Sequence, residues 1–259
     1  MAKTSSPHVI TVLKDIRAAL DARLDDKARA AAATKGPIKS LGVKTATLRT
    51  VAKDILAKHK ATLDYAITVQ LVDASMARKV REEILVSLEL LERFRREYES
   101  SLMQHVDKWV GMADDLEIAE ALGTKVAAAV LALDRSKMTL VRRWAKPKSV
   151  GRRRLAVLAA SGLVTDGQRE AQAVLDLCEL LLREDHPVLV GGVASLLRDT
   201  TKVDAKAVQD FLFRRSIDGN PDILRAGSEN LDAARRAALI AKLEAQAALN
   251  TPLIAIVER

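Results

Sequence analysis

Apolar residues recur at three- and four-residue intervals along almost the whole chain, the spacing that gathers them on one face of a helix. From residue 81 to 98, Ile84, Leu85, Leu88, Leu91 and Phe94 form such a face, while Glu82, Glu89, Glu92, Arg93 and Arg96 fall mostly elsewhere. The same period predicts helices over residues 8–34, 45–58, 63–72, 102–110, 116–133, 138–146, 152–163, 171–183, 189–197, 205–215 and 233–249. No stretch keeps the period-two alternation of a half-buried strand. Ordinary stop residues mark the short breaks: Gly36 with Pro37, Pro147 with Gly151, Gly162, Gly167, Pro187, Gly219 with Pro221, and Pro252. None is long enough to divide domains, so a single domain over residues 1–259 is expected. About a dozen helices joined by short loops pack as successive antiparallel pairs, the logic of an all-α solenoid with repeats of roughly 35 to 45 residues. A generic helical bundle is the competing architecture, because no sequence self-similarity marks the repeats.

Composition changes this picture little. Hydrophobic residues are 49% and charged residues 29% of the 259, enough for a core and unlike a disordered chain. Aromatics are only 3%, and Ala and Leu outnumber the β-branched types, which favours helix over strand. Cys178 is the single cysteine and forms no internal disulfide, and His8, His59, His105 and His186 are scattered without metal-ligand spacing. No metal and no cofactor is expected. Residues 1–7 lack the apolar run of a signal peptide, and no segment approaches the roughly 20 apolar residues of a membrane span. The expectation is a cytoplasmic protein with no membrane partner.

Charge changes it more. Seven of the thirteen residues from Arg142 to Arg154 are basic (Arg142, Arg143, Lys146, Lys148, Arg152, Arg153 and Arg154), none is acidic, and Trp144 sits among them. With 42 Lys and Arg against 34 Asp and Glu the chain carries +8, so this stretch accounts for +7 and the remainder for +1. A concentrated cluster makes a field that draws a polyanion to one place, and nucleic acid is the first partner to consider. Arg142, Arg143 and Lys146 end one predicted helix, Lys148 lies in the turn, and Arg152, Arg153 and Arg154 open the next. Cations in a first helical turn oppose the macrodipole, so they suit an external anion better than helix stability. The bland alternative is a solvated turn whose arginines pair with neighbouring acids. The segment GPIKSLGVKT has only a superficial likeness to a phosphate-binding loop: five residues separate Gly36 from Gly42, Val43 precedes Lys44, and no strand leads into it.

Several segments, in order, resemble the AlkD family of DNA alkylation repair proteins, part of a superfamily of glycosylases with HEAT-like repeats. SLGVKTATLR (residues 40–49) is similar to the family's stretch of LGV, polar residues and LR. EILVSLELLERFRREY (83–98) and residues 109–123 continue the match. WAKPKSVGRRRLAVLAA (144–160) resembles its element of tryptophan, polar loop, arginine and apolar helix. VASLLRDTTKVDAKAVQDFL (193–212) and residues 224–231 follow. The resemblance covers most of the chain from about residue 36 onward. It implies HEAT-like antiparallel helix pairs around a concave basic groove, with residues 1–35 as an N-terminal helical cap, 36–250 as the repeats and 251–259 as a C-terminal tail. It also implies duplex DNA as partner and excision of cationic N-alkylated purines by hydrolysis of the glycosidic bond.

Carried over residue by residue, the family's Asn-Trp-Asp-x-x-Asp element puts its tryptophan at Leu116 and its last aspartate at Glu120, so a carboxylate is kept, one methylene longer. The later arginine falls on Arg154, with Arg152 and Arg153 as neighbouring registers, and a second groove tryptophan falls on Ser195. The resemblance thus implies Glu120 and Arg154 as catalytic candidates and the seven basic residues as the DNA contact. Leu116 and Ser195 offer no π face to a cationic sugar or base. Trp109 and Trp144 could substitute, but Trp109 follows Leu102 and Val106, and Trp144 follows Leu140, at helical spacing, which reads first as core. Asp114, Asp115, Glu117 and Glu120 read alternatively as a charge cluster favourable to a helix start, an account that fits Glu120 least. Three function classes stay open: a glycosylase for N-alkylated purines, a non-catalytic binder of damaged or branched DNA, and a helical-repeat scaffold for an acidic protein partner.

Overall fold

The computed structural model describes residues 6–24, 37–146, 148–164 and 170–250. The start and end of the expected N-terminal cap, residues 1–5 and 25–35, and the expected tail, 251–259, lie outside the described residues, as do Gly36, Pro147 and Gly167 among the expected breaks. The chain divides into two compact units, Met1–Lys137 and Met138–Arg259. It is all-α: among the described residues the sole β pairing is an isolated bridge between Lys39 and Val80. No described helix is long and apolar enough to cross a membrane.

Several helices begin where the sequence supplies a cap, and helices build both units. In the first unit these are α1 (Pro7–Asp21), α2 (Thr45–Lys58), α3 (Tyr65–Arg78), α4 (Arg81–Glu92), α5 (Leu102–Trp109), α6 (Leu116–Ala121) and α7 (Ala128–Leu133). Asp64 accepts from the Ile67 amide at 2.7 Å to open α3, and Asp115 accepts from Glu117 and Ile118 to open α6. Between α6 and α7 the helix widens into a π-helical segment, Leu122–Ala127. The second unit contains α8 (Met138–Trp144), α9 (Val150–Ala160), α10 (Ala171–Leu181), α11 (Pro187–Thr201), α12 (Ala205–Arg214), α13 (Pro221–Gly227) and α14 (Ala233–Asn250). Proline at the first helical position pre-sets φ without losing a needed N–H, and it opens α1, α11 and α13. Pro187 and Pro221, expected as breaks, are therefore starts, and α13 is a helix the apolar period did not predict.

The core of the first unit forms around α4, which packs against α2, α3 and the segment from α6 into the π turn. Ile84, Val86, Leu88, Leu90 and Leu91 are fully buried, each contributing about 1.5–3 kcal/mol before its share of ordering entropy. Glu82 is also fully buried, where the apolar period placed it off the core face, and so is its neighbour Glu83. The reason is pairing. Glu83 accepts from Arg17 Nε and Arg78 Nε, both at 2.7 Å, tying α1 and α3 to the start of α4. Glu82 accepts from the amides of Leu41 and Gly42 and from the Ser40 hydroxyl. Burial pushes the Glu82 carboxyl up, but those hydrogen bonds, with the Arg81 charge beside it, outweigh burial and hold it below the usual carboxylate range. Gly42 sits at φ 83°, left-handed backbone that favours glycine, which lets this loop fold back onto the carboxylate.

In the second unit α11 packs against α9, α10, α12 and α13. A Cβ on Gly227 would stand 2.8 Å from Leu197 Cδ1, so glycine there permits the close approach of α13 to α11. Cys178 is buried in α10, and burial pushes its thiol up to about 12.

Candidate nucleic-acid interface

The expected basic segment lies at the α8–α9 junction of the second unit. Arg142 and Arg143 occupy the last turn of α8, where cations complement the helix dipole. Ser149 then caps α9 by accepting from the Arg152 amide at 3.2 Å; Val150 and Gly151 come first, so Arg152, Arg153 and Arg154 stand at the third to fifth helical positions, and the first turn has no acid. Carboxylates from the following helix and its end answer part of this charge. Arg142 pairs with Asp176 of α10 at 2.7 Å, and Arg153 pairs with Glu184 at 2.8 Å with both side chains under a fifth exposed. Arg143, Lys146 and Lys148 are exposed, and Arg152 and Arg154 are half-buried.

Arg154 reaches from α9 into a cleft of about 400 Å³ against α11, lined also by Pro187, Gly191, Ser195 and Asp199. One Arg154 Nη lies 3.5 Å from the Val188 carbonyl on the cleft wall, a long contact. Nothing lies within 4 Å of where a Cβ on Gly191 would stand, so this wall of α11 is low and open. The structure thus brings Arg154 and Ser195 to one cleft, and Ser195 is exposed there.

Glu120 lies in the first unit, exposed on the last turn of α6. It lines a cleft of about 570 Å³ with Thr45, Arg49, Glu89, Glu117 and Lys125. The Thr124 hydroxyl donates to the Glu120 carbonyl at 2.7 Å where the π segment begins. Asp115 and Glu117 account for the helix-start reading of this acid group. Asp115 is the cap, and Glu117, in the first turn, accepts from the Thr45 hydroxyl at 3.0 Å. Glu120 is beyond that turn and faces the cleft. Lys125, unremarked in the sequence, bridges Glu89 and Glu92 of α4, 2.6 Å from each. The apolar period could not single it out, because the π turn shifts which residues of 116–133 share a face.

Neither tryptophan supplies the missing aromatic wall. Trp109 is 2% exposed and donates its indole N–H to Asp73 at 2.7 Å, and Trp144 is 3% exposed. Both are core residues, as their spacing suggested. Leu116, at the carried-over aromatic position, is 40% exposed. The cleft with Arg154 in the second unit can bind a phosphate, and the separate cleft with Glu120 in the first unit can stabilise positive charge, but neither offers a π face at these positions.

Residues 16–231, spanning parts of both units, match a family model described as DNA alkylation repair enzyme. Comparison with curated proteins returned no match.

Proposed function

The chain belongs to the DNA alkylation repair enzyme family, and from that premise we propose that it binds duplex DNA through the α8–α9 segment and releases cationic N-alkylated purines by glycosidic hydrolysis. The observation that carries DNA binding is seven cations within thirteen residues that include no acid, with Arg143, Lys146 and Lys148 exposed at one helix junction. These three, with Arg152 and Arg154 beside them, take backbone phosphates, each displacing condensed counterions. Phosphate contacts carry no base sequence, so recognition is of duplex and lesion chemistry.

In the catalytic step, the bond from sugar C1′ to the alkylated nitrogen breaks, and its electron pair goes to the base, which leaves neutral because it was cationic. Positive charge moves to the sugar as an oxocarbenium. Water adds to C1′ and loses one proton to solvent. No general acid is needed on the base, and the exposed Glu120 carboxylate serves as the electrostatic partner of the sugar and orients the water. Arg154, in its own unit, clamps phosphate.

Burial of Trp109 and Trp144, with Leu116 and Ser195 exposed, favours a second reading in which DNA is bound and no bond is cut. Base release decides between them. Under single-turnover conditions with excess protein, methylated purines should leave alkylated duplex faster than in a no-protein control, and Glu120→Gln should lose that excess while keeping DNA affinity. Tight binding with release at the control rate would establish the non-catalytic reading. Failure to bind duplex at physiological salt would turn the choice to a scaffold for an acidic protein.

A further inference from the structure

A different cleft of the first unit, about 580 Å³, opens between α3 and α5 and shares no lining residue with the cleft of Glu120. That volume suits a small organic molecule. Tyr65, Gln70, Asp73, Ser101 and His105 are its polar lining, and no lysine or arginine lines it. Exposed Ala66 and Ala77 keep the α3 wall low. Asp73 is fixed from one side: Trp109 donates its indole N–H to Oδ1 at 2.7 Å, and His105 Nδ1 lies 3.2 Å from Oδ1 and 3.1 Å from Oδ2. Its side chain nevertheless stays 43% exposed. Two ring nitrogens leave part of a carboxylate's acceptor capacity unused, and a neutral His105 ring that donates from Nδ1 keeps Nε2 as a further acceptor. An amide oxygen would satisfy the Trp109 indole equally well, so the charge at Asp73 is more than that bond requires. The surroundings add negative charge. The Ser101 hydroxyl donates to the Glu99 carboxylate at 3.1 Å, bringing a second acid to the rim. Burial, then the charges of Glu99 and Glu97, push the Tyr65 hydroxyl up against the lowering pull of the Glu99 backbone N–H. Arg78, the base in the last turn of α3, is engaged by Glu83 at 2.7 Å.

We propose that this cleft binds a small organic cation, a primary ammonium group on an apolar body, with the ammonium held by Asp73 and His105 Nε2 and the body lying along Ala66, Val69 and Leu102. An ammonium brings three N–H donors and no acceptor, which matches a lining whose charged group only accepts. Its charge makes each such hydrogen bond stronger than a neutral one. A carboxylate or phosphate would instead meet Asp73 and Glu99 head on. Buried Val69 and Leu102 give the apolar body a floor. The ligand is opposite in sign to DNA, and the site stands whether or not the α8–α9 segment binds a duplex.

The probe is phenethylammonium, titrated into the full chain and followed by the proton–nitrogen resonances of the indole groups. The chain has two tryptophans, Trp109 bonded to Asp73 and Trp144 in the other unit, so one resonance should shift to saturation and the other should stay. Phenethyl alcohol and phenylacetate, similar in shape without the positive charge, should bind about tenfold more weakly or worse. Asp73→Asn keeps an acceptor for the indole N–H and removes the charge, and should weaken phenethylammonium by about tenfold or more. Ala66→Leu, at an exposed helical position, keeps every charge and fills the space, and should weaken it as much; it also keeps the test alive if Asp73→Asn does not fold. Equal binding of the three probes overturns the proposal. So does binding that survives both variants, or a Trp109 resonance that does not move at millimolar phenethylammonium.

Discussion

The contrast in exposure within the basic segment makes a quantitative prediction. Arg143, Lys146 and Lys148 are exposed, whereas Arg153 is 17% exposed and held 2.8 Å from Glu184, itself 16% exposed. Replacing the exposed three with Gln removes three phosphate-binding charges at roughly 0.9 unit each, so the salt slope should fall by about 2.7. Across a fourfold rise in salt, the wild type should then lose about 40-fold more affinity than the variant. The fold should not notice, since solvated side chains contribute little to stability. Arg153→Gln should do the reverse. It strands a mostly buried carboxylate, which costs on the order of 2–4 kcal/mol, or a drop in melting temperature of order 10 °C for a chain of this size. Its salt slope should stay within about half a unit of wild type. Anisotropy titrations at several salt concentrations and thermal unfolding by circular dichroism measure both quantities on the same preparations. A slope change for Arg153→Gln equal to that of the triple variant, with an unaltered melting temperature, would refute the assignment of Arg153 to the fold.

Other consequences are as direct. Glu83→Gln removes the charge shared by Arg17 and Arg78 and one of their two acceptor oxygens, and because both arginines retain water access the loss should be about 2–4 kcal/mol, readable by urea unfolding. Asp15 is held below the usual carboxylate range chiefly by its Lys58 hydrogen bond, which outweighs burial and is helped by His59. A folded value below the unfolded 3.8 gives stability present above that pH and lost as pH falls through the folded value. Unfolding free energy should therefore drop on acidification below about pH 4, and Asp15→Asn should make that drop shallower. The Cys178 thiol, buried and pushed up to about 12, should resist a thiol reagent at neutral pH until the protein is unfolded. Rapid labelling of the folded chain would contradict its burial.

The sequence made the helices legible because one apolar face per element suffices to predict them, and the spacing of Trp109 after Leu102 and Val106 correctly put it in the core. It could not reveal that Glu82 and Glu83 are buried, because, Arg78 apart, the partners named for their oxygens come from far away in the chain: Ser40, Leu41 and Arg17 have no sequence pattern linking them to α4. The short α13 was missed since Asn220 and Pro221 read equally as a turn or as a cap followed by a first helical residue. Within the basic segment, position was readable and pairing was not: Asp176 and Glu184 lie one helix further on, and only packing selects Arg142 and Arg153 as their partners. Glu120 was singled out by resemblance, while Arg49 and Lys125, which line its cleft, come from separate elements and meet only in the folded unit.

The π-helical turn at Leu122–Ala127 sets the rotational phase of Glu120. A π turn accommodates one residue more than an α turn, and each residue of an α-helix advances the chain by about 100° around the axis. Winding the same residues as uninterrupted α-helix, with none deleted, would turn Glu120 by about that angle relative to Ala128–Leu133. The carboxylate would swing out of its cleft with every helix-forming residue around it intact. The inserted residue thus works like an offset key on a shaft, and Lys125, gripped by Glu89 and Glu92, is the pin that stops it slipping.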